Sequence, residues 1–230
     1  ATITKSYSTA SVNVAGDGHG GGLIGDNYGT VSQSYATGAV SGNNSIGGFV
    51  GENGATISNS FSSGTVTGTG QYSGGFAGNN SSTITNSYSY GLVSSTGTDK
   101  GGFIGANHPS YSATPVGTIT NSFYNKTINA GMSDEGNYGK TTTEMKAIAI
   151  YSGSTPAWDI VTDSSLSNVY PQLRWATTGL SAGSSVWVIG KVQITYSVSG
   201  GSRTYGQTFT LPTPAFTGGT PTGTPTVKVY

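Results

Sequence analysis

Large apolar side chains return along this chain at a fixed interval, separated by short runs of glycine and small polar residues. Gly21-Gly22-Leu23-Ile24-Gly25, Gly47-Gly48-Phe49-Val50-Gly51, Gly74-Gly75-Phe76-Ala77-Gly78 and Gly101-Gly102-Phe103-Ile104-Gly105 are one pentapeptide repeated four times, with starts 26 to 27 residues apart. Counted from its first glycine, Val31, Ile57 and Ile84 share position +10. Tyr35, Phe61 and Tyr88 share +14, and Val40, Val66 and Val93 share +19. Ile3, Tyr7 and Val12 fit the same frame at the start of the chain, and Ile119 and Phe123 fit it again after an insertion near residues 108–115. A period of this length marks a solenoid, in which each unit buries its apolar face against the next.

Within one unit the segments are short, β-branched and aromatic, and glycine or asparagine interrupts them. Residues 56–61 alternate polar and large side chains, and residues 64–68 and 48–51 make two further short runs, so three strands per coil are expected. The pattern predicts an all-β fold, a right-handed parallel β-helix of about five coils over residues 1–128. The hand follows from the strong preference of parallel β crossovers. Coils about 4.8 Å apart give a rod section of roughly 24 Å. Residues 129–175 change character and read as a capping segment with a short helix, where Thr141 and Glu144 form a capping box. Trp158, Tyr170, Pro171, Leu173 and Trp175 supply the apolar groups of that cap, which would shield the open end of the stack. Residues 176–190 read as a linker with a short strand at 186–189, and residues 191–230 as a small β segment.

Two asparagine columns follow from the frame. Asn27, Asn53, Asn80 and Asn107 share position +6, and Asn59, Asn86 and Asn121 share +12, with Gln33 and Lys5 in the earlier coils. Stacked amides hydrogen-bond along such columns, so both are expected to be structural ladders, with a ligand-binding amide row as the alternative, and asparagine at +6 would also tolerate the left-handed turn conformation. A third pattern is hydroxylic. Thr30/Ser32, Thr56/Ser58, Thr83/Thr85 and Thr118/Thr120 flank the buried aliphatic residue of successive coils, as Thr2/Thr4 do in the first. They are expected to point outward as a flat ladder extended by Ser6, Ser34, Ser60, Ser87 and Ser122. Threonine suits an exposed strand face; such an array could also bind a sugar, a flat polymer or ice.

Composition narrows the chemistry. Only 8% of the 230 residues are charged, with nine Lys+Arg against nine Asp+Glu. A neutral, charge-poor surface argues against nucleic acid, which requires a basic stripe. No apolar run approaches the ~18 residues of a membrane-spanning helix, and membrane insertion is not expected. The absence of cysteine excludes disulfides, thiol nucleophiles and cysteine-ligated zinc. No signal-peptide pattern opens the chain, and residue 1 falls inside a repeat, as expected of a fragment.

Enzymes on β-helices need clustered carboxylates, often beside Arg or Lys. The coils hold Asp17, Asp26, Glu52 and Asp99 as acids. Asp26 and Glu52 stack at +5, but Asn79 and Ala106 follow them, and the pair reads as a solvated turn. His19 and His108 lie three to four coils apart, too far to share a metal. The run Gly136-Asn137-Tyr138-Gly139-Lys140-Thr141 mimics part of a phosphate loop but lacks its first glycine and its leading strand. No catalytic residue, metal or cofactor is therefore expected. Asn43, Asn79, Asn80 and Asn125 stand in N-x-[ST] sequons.

The repeat, GG-hydrophobic-hydrophobic-G-x-N followed by a Thr-Ile-Ser-Asn-Ser-Tyr-like strand and Gly-x-Val, resembles the GLUG motif. The resemblance covers residues 1 to about 128, in four full copies and one partial copy. The later run Gly139-Lys140-Thr141-Thr142-Thr143-Glu144-Met145-Lys146, with Trp158-Asp159-Ile160 and Tyr170-Pro171-Gln172-Leu173-Arg174-Trp175, resembles the segment that commonly follows such repeats. From Lys191 the chain resembles the start of an MBG-type module. The family resemblance implies a segment of a filamentous-haemagglutinin-like, two-partner-secretion adhesin, secreted or displayed on the outer-membrane exterior of a bacterium. It implies repeats that serve as stalk or adhesive material, with host-cell or surface glycans and proteins, and the parent's neighbouring domains, as partners. Some adhesins of this kind are glycosylated in the bacterial cytoplasm.

Overall fold

The computed structural model describes residues 1–108, 117–132, 138–152, 158–163, 165–166, 168–180 and 183–190. The module expected at 191–230, most of the insertion and the Gly136-Asn137 end of the loop-like run lie outside the described residues.

The chain winds as a parallel β-solenoid of about six turns. Each complete turn is built from five short strands rather than three, and each strand pairs in register with its counterparts in the turns above and below. Thr2–Thr4, Thr30–Ser32, Ile57–Ser58, Thr83–Thr85 and Thr118–Thr120 form the first sheet. Tyr7–Ser8, Tyr35–Ala36, Phe61–Ser62, Tyr88–Ser89 and Phe123–Asn125 form the second. Gly139–Lys140 adds a sixth rung to this second sheet, beyond the five expected. A third sheet carries Val12, Val40, Val66 and Val93. A fourth contains Ile46–Gly47 and Ser73–Gly74, and a fifth contains Val50–Asn53 and Ala77–Asn80.

The expected 56–61 strand is two strands with a corner between them, because position +12 is left-handed. Lys5, Gln33, Asn59, Asn86 and Asn121 have φ of 48°, 49°, 48°, 48° and 47°. Asparagine tolerates this conformation better than most residues. The left-handed turn therefore belongs to +12 and not to +6. The next residue shows why serine follows. At the corner the main-chain ladder is interrupted, and Ser60 Oγ accepts the Ser34 N–H at 3.3 Å while donating to Ser58 O at 2.9 Å. Ser34, Ser87 and Ser122 accept in the same way from Ser6, Ser60 and Ser87, at 3.2 to 3.3 Å. These serines are buried, apart from the half-buried Ser6. They are an internal ladder and not an extension of the outer face, since a buried N–H must find an acceptor.

The pentapeptide folds the chain tightly back on itself. A Cβ at Gly47 would lie 2.0 Å from Val50 O, a clash that only glycine avoids. This turn sends Phe49, Phe76 and Phe103 inward, where they stack with centroids 4.8 and 5.1 Å apart. Val31, Ile57, Ile84, Val50 and Ala77 complete that core. Val40, Ile46, Val66 and Val93 form a second, smaller one.

The C-terminal end of the stack is closed by different groups from those expected. Tyr124 and Tyr138 pack on the main core. Buried Asn129 replaces a missing rung of the valine sheet, accepting the Val93 N–H at 2.8 Å and donating to Gly91 O at 2.9 Å. Two four-residue helices follow, α1 (Thr142–Met145) and α2 (Ala149–Ser152), and the Thr141–Glu144 capping box forms as expected. Trp158, Tyr170, Leu173 and Trp175 are not an end cap. They belong to a separate cluster on the side of the solenoid, together with a sheet ordered Ile160–Asp163, Trp187–Gly190, Gln172–Leu173. Trp187–Gly190 is fully buried there and is no free linker.

Candidate functional site

Three regions bear on function: the hydroxyl face, the aromatic flank and a small ionisable cluster. On the first sheet, Val31, Ile57 and Ile84 are fully buried. Their neighbours point the other way, as alternation requires. Thr30, Thr56 and Thr118 are exposed, whereas Thr83, Ser32, Ser58, Thr85 and Thr120 are half-buried. In-register pairing aligns Thr2 with Thr30, Ser32 with Ser58, Ser58 with Thr85, and Thr83 with Thr118. The result is a two-column lattice of hydroxyls, about 4.8 Å between rungs and about 6.6 Å along a strand. The hydroxyls line up on the outer side of the sheet, three of the eight exposed and five half-buried, and the serines at +13 are not among them.

The +6 asparagines form a continuous amide ladder. Asn27 Nδ2 donates to Asn53 Oδ1, Asn53 to Asn80 and Asn80 to Asn107, each at 2.8 Å. Asn27, Asn53 and Asn80 are buried and Asn107 is half-buried. This column is structural. The +12 column does something else, because its corner presents hydrogen-bond acceptors to the flank. Trp175 Nε1 donates to Gln33 O at 2.8 Å, Trp158 Nε1 to Asn121 O at 2.9 Å, and Trp187 Nε1 to Asn59 Oδ1 at 3.2 Å. Buried indoles need such acceptors.

Beneath the indoles runs the +14 column. Tyr7, Tyr35, Phe61 and Tyr88 stack at 5.1, 5.0 and 5.2 Å. Trp175 lies over Tyr7 and Tyr35, Trp187 over Phe61 and Tyr88, and Trp158 over Tyr88 and Phe123. The segment after the coils thus descends the side of the solenoid and returns, covering most of the aromatic column. Tyr88 donates its hydroxyl to Pro171 O and Tyr151 donates to Met145 O. Burial is the main cause that pushes both phenols well above the ordinary tyrosine range. An open cleft of about 400 Å³ remains beside the seam, with Tyr35, Tyr90, Tyr170, Lys146 and Gln172 on its walls.

Of the ionisable cluster, the Asp26–Glu52 stack was legible in the sequence and the approach of His19 was not. His19 Nδ1 lies 2.5 Å from Asp26 Oδ1 and 3.3 Å from Glu52 Oε2. Glu52 is not a solvated turn residue, since its side chain is only 12% exposed. His108 stands apart, edge-on to Tyr72 at 5.5 Å. Of the sequons, Asn79, Asn80 and Asn125 are buried, and half-buried Asn43 donates to Asp17 Oδ1 at 2.6 Å.

A family model for the GLUG motif matches residues 42–67. That span is one turn of the solenoid, running from the valine sheet of one coil to the valine sheet of the next. No curated protein and no solved structure matches the chain significantly.

Proposed function

We propose that this chain is a structural and adhesive segment of a secreted or surface-displayed bacterial adhesin of the filamentous-haemagglutinin-like, two-partner-secretion type. In this reading the solenoid extends a rod and offers flat repeat faces to host-cell or surface glycans and proteins. The observation that carries it is the in-register stacking of every column, which makes each face a one-dimensional lattice. A lattice binds through repeated weak contacts, and multivalency supplies the avidity that no single contact has. Catalysis has no part in this reading, and residues 191–230 are its MBG-like module.

A second reading is favoured by the hydroxyl lattice itself: a module that recognises carbohydrate or another ordered surface through Thr30, Ser32, Thr56, Ser58, Thr83, Thr85, Thr118 and Thr120. A glycan and host-surface binding screen of the full chain, run beside Thr56→Lys/Thr83→Lys, tests both. Saturable binding lost in the folded double variant supports recognition by the lattice. Binding retained in that variant removes the lattice and leaves the other faces. No binding by either protein, with circular dichroism intact, reduces the chain to a stalk.

A further inference from the structure

We infer that His19, Asp26 and Glu52 form a binding site for a divalent first-row transition ion of the Zn²⁺ class, tying consecutive coils together. One imidazole nitrogen and two carboxylate oxygens lie within 4.8 Å of one another. These are the donor types that zinc accepts. Tetrahedral bonds of about 2.0–2.1 Å separate ligand atoms by roughly 3.4 Å. The His19–Glu52 separation of 3.3 Å already meets this value. His19 and Asp26, at 2.5 Å, must part by less than an ångström, and Asp26 is exposed enough to turn.

The surroundings supply an independent sign. Asn79 pairs in register with Glu52, as Glu52 does with Asp26. Its side chain therefore leaves the sheet on the same face, about 4.8 Å further along. Asn79 is fully buried, yet neither its Oδ1 nor its Nδ2 has a hydrogen-bond partner. On the other side, Ser45 O accepts from Gly20 N, which places Ser45 one rung beyond His19. Its hydroxyl is likewise buried and unpartnered. Unsatisfied buried polar groups are rare and are costly unless something occupies their vicinity. A cation beside Glu52 accounts for both: with His19, Asp26 and Glu52 as three ligands, a water in the fourth position can donate to Asn79 Oδ1 and to the Ser45 hydroxyl. The ion would join the residue before strand Gly20–Gly21, strand Ile24–Asn27 and that strand's neighbour Val50–Asn53 in the next coil.

The test is calorimetric titration of the full 230-residue chain with Zn²⁺, after chelation, alongside His19→Ala, Glu52→Gln and His108→Ala. Wild type and His108→Ala are expected to bind one ion in the micromolar range or tighter, with a raised unfolding midpoint. His19→Ala and Glu52→Gln are expected to bind at least ~10-fold more weakly. Glu52→Gln keeps the side-chain volume, and circular dichroism verifies its fold. Ca²⁺ at equal concentration is expected to give no shift, because imidazole suits it poorly. No Zn²⁺ binding by wild type would overturn the inference, leaving a carboxylate–imidazole trio. Unchanged affinity in both ligand variants, or binding that disappears in His108→Ala, would overturn it equally.

Discussion

Replacing Asn53 with alanine removes the middle of the buried amide ladder. Asn53 is fully buried, accepts from Asn27 and donates to Asn80, each at 2.8 Å. The truncation leaves the Asn27 Nδ2 group facing a hole without its acceptor. Asn80 Oδ1 keeps only the Ser82 N–H, at 3.4 Å. Each stranded buried group costs about 1–3 kcal/mol, so Asn53→Ala is expected to lose about 3–4 kcal/mol. Asn27→Ala sits at the ladder's end and breaks one rung-to-rung bond, with an expected loss of about 1–2 kcal/mol. The double variant should fall short of the sum by about 1 kcal/mol, because the shared Asn27–Asn53 bond is then lost only once. Urea denaturation followed by tryptophan fluorescence and circular dichroism gives these numbers where the slopes stay constant. A loss below about 1 kcal/mol for Asn53→Ala, or strict additivity of the pair, would refute the ladder as a source of stability.

Three further outcomes follow from the flank and the helix cap. Trp187→Ala, at a fully buried site, should cost about 3–5 kcal/mol, and half-buried Trp175→Ala clearly less; equal losses by thermal unfolding would contradict the packing described. Tyr88 and Tyr151 have folded-state pKa values raised chiefly by burial. Their contribution is therefore fully present below the ordinary value of 10.0 and is lost as pH rises through the folded values. Tyr88→Phe should weaken the protein by about 1 kcal/mol at neutral pH through the lost bond to Pro171, while making alkaline unfolding shallower in a pH–stability profile. Glu144 is held below its ordinary 4.5 first by the Thr141 backbone N–H and then by the Thr141 hydroxyl. Its contribution is thus present above that pH and lost as acid protonates it. Glu144→Gln should flatten the acid limb by lowering the neutral plateau toward the acid level.

The residues explain which features could be read in advance. The pentapeptide and the columns at +10, +14 and +19 fixed the coil, because burial in a solenoid repeats at the period of the chain. The +6 ladder was legible for the same reason. The corner at +12 was not, since an asparagine column looks alike whether its amides stack or its backbone turns. The serine at +13 was assigned to the surface because alternation was carried through that unseen corner. Trp158 and Trp175 were recognised as apolar but placed at the end of the stack, and Trp187 was left in the short strand of a linker. Nothing local in the sequence says that an indole will find an acceptor many residues away, as Trp175 finds Gln33. The repeat frame stacked Asp26 on Glu52, but His19 lies outside the repeated positions, so nothing in the frame brought its imidazole to that pair.

The returning segment also changes how the solenoid meets mechanical load. A bare stack can be peeled one coil at a time, each step breaking only a few hydrogen bonds. Here the chain that leaves the last rung runs back along several turns and is fastened to them by indoles at Gln33, Asn59 and Asn121. Tension between residues 1 and 190 is then carried as shear across many contacts at once, and the flank behaves like a splint. Such a chain should resist pulling as a unit and give way in one large step, where an unsplinted coil would unravel in a series of small ones.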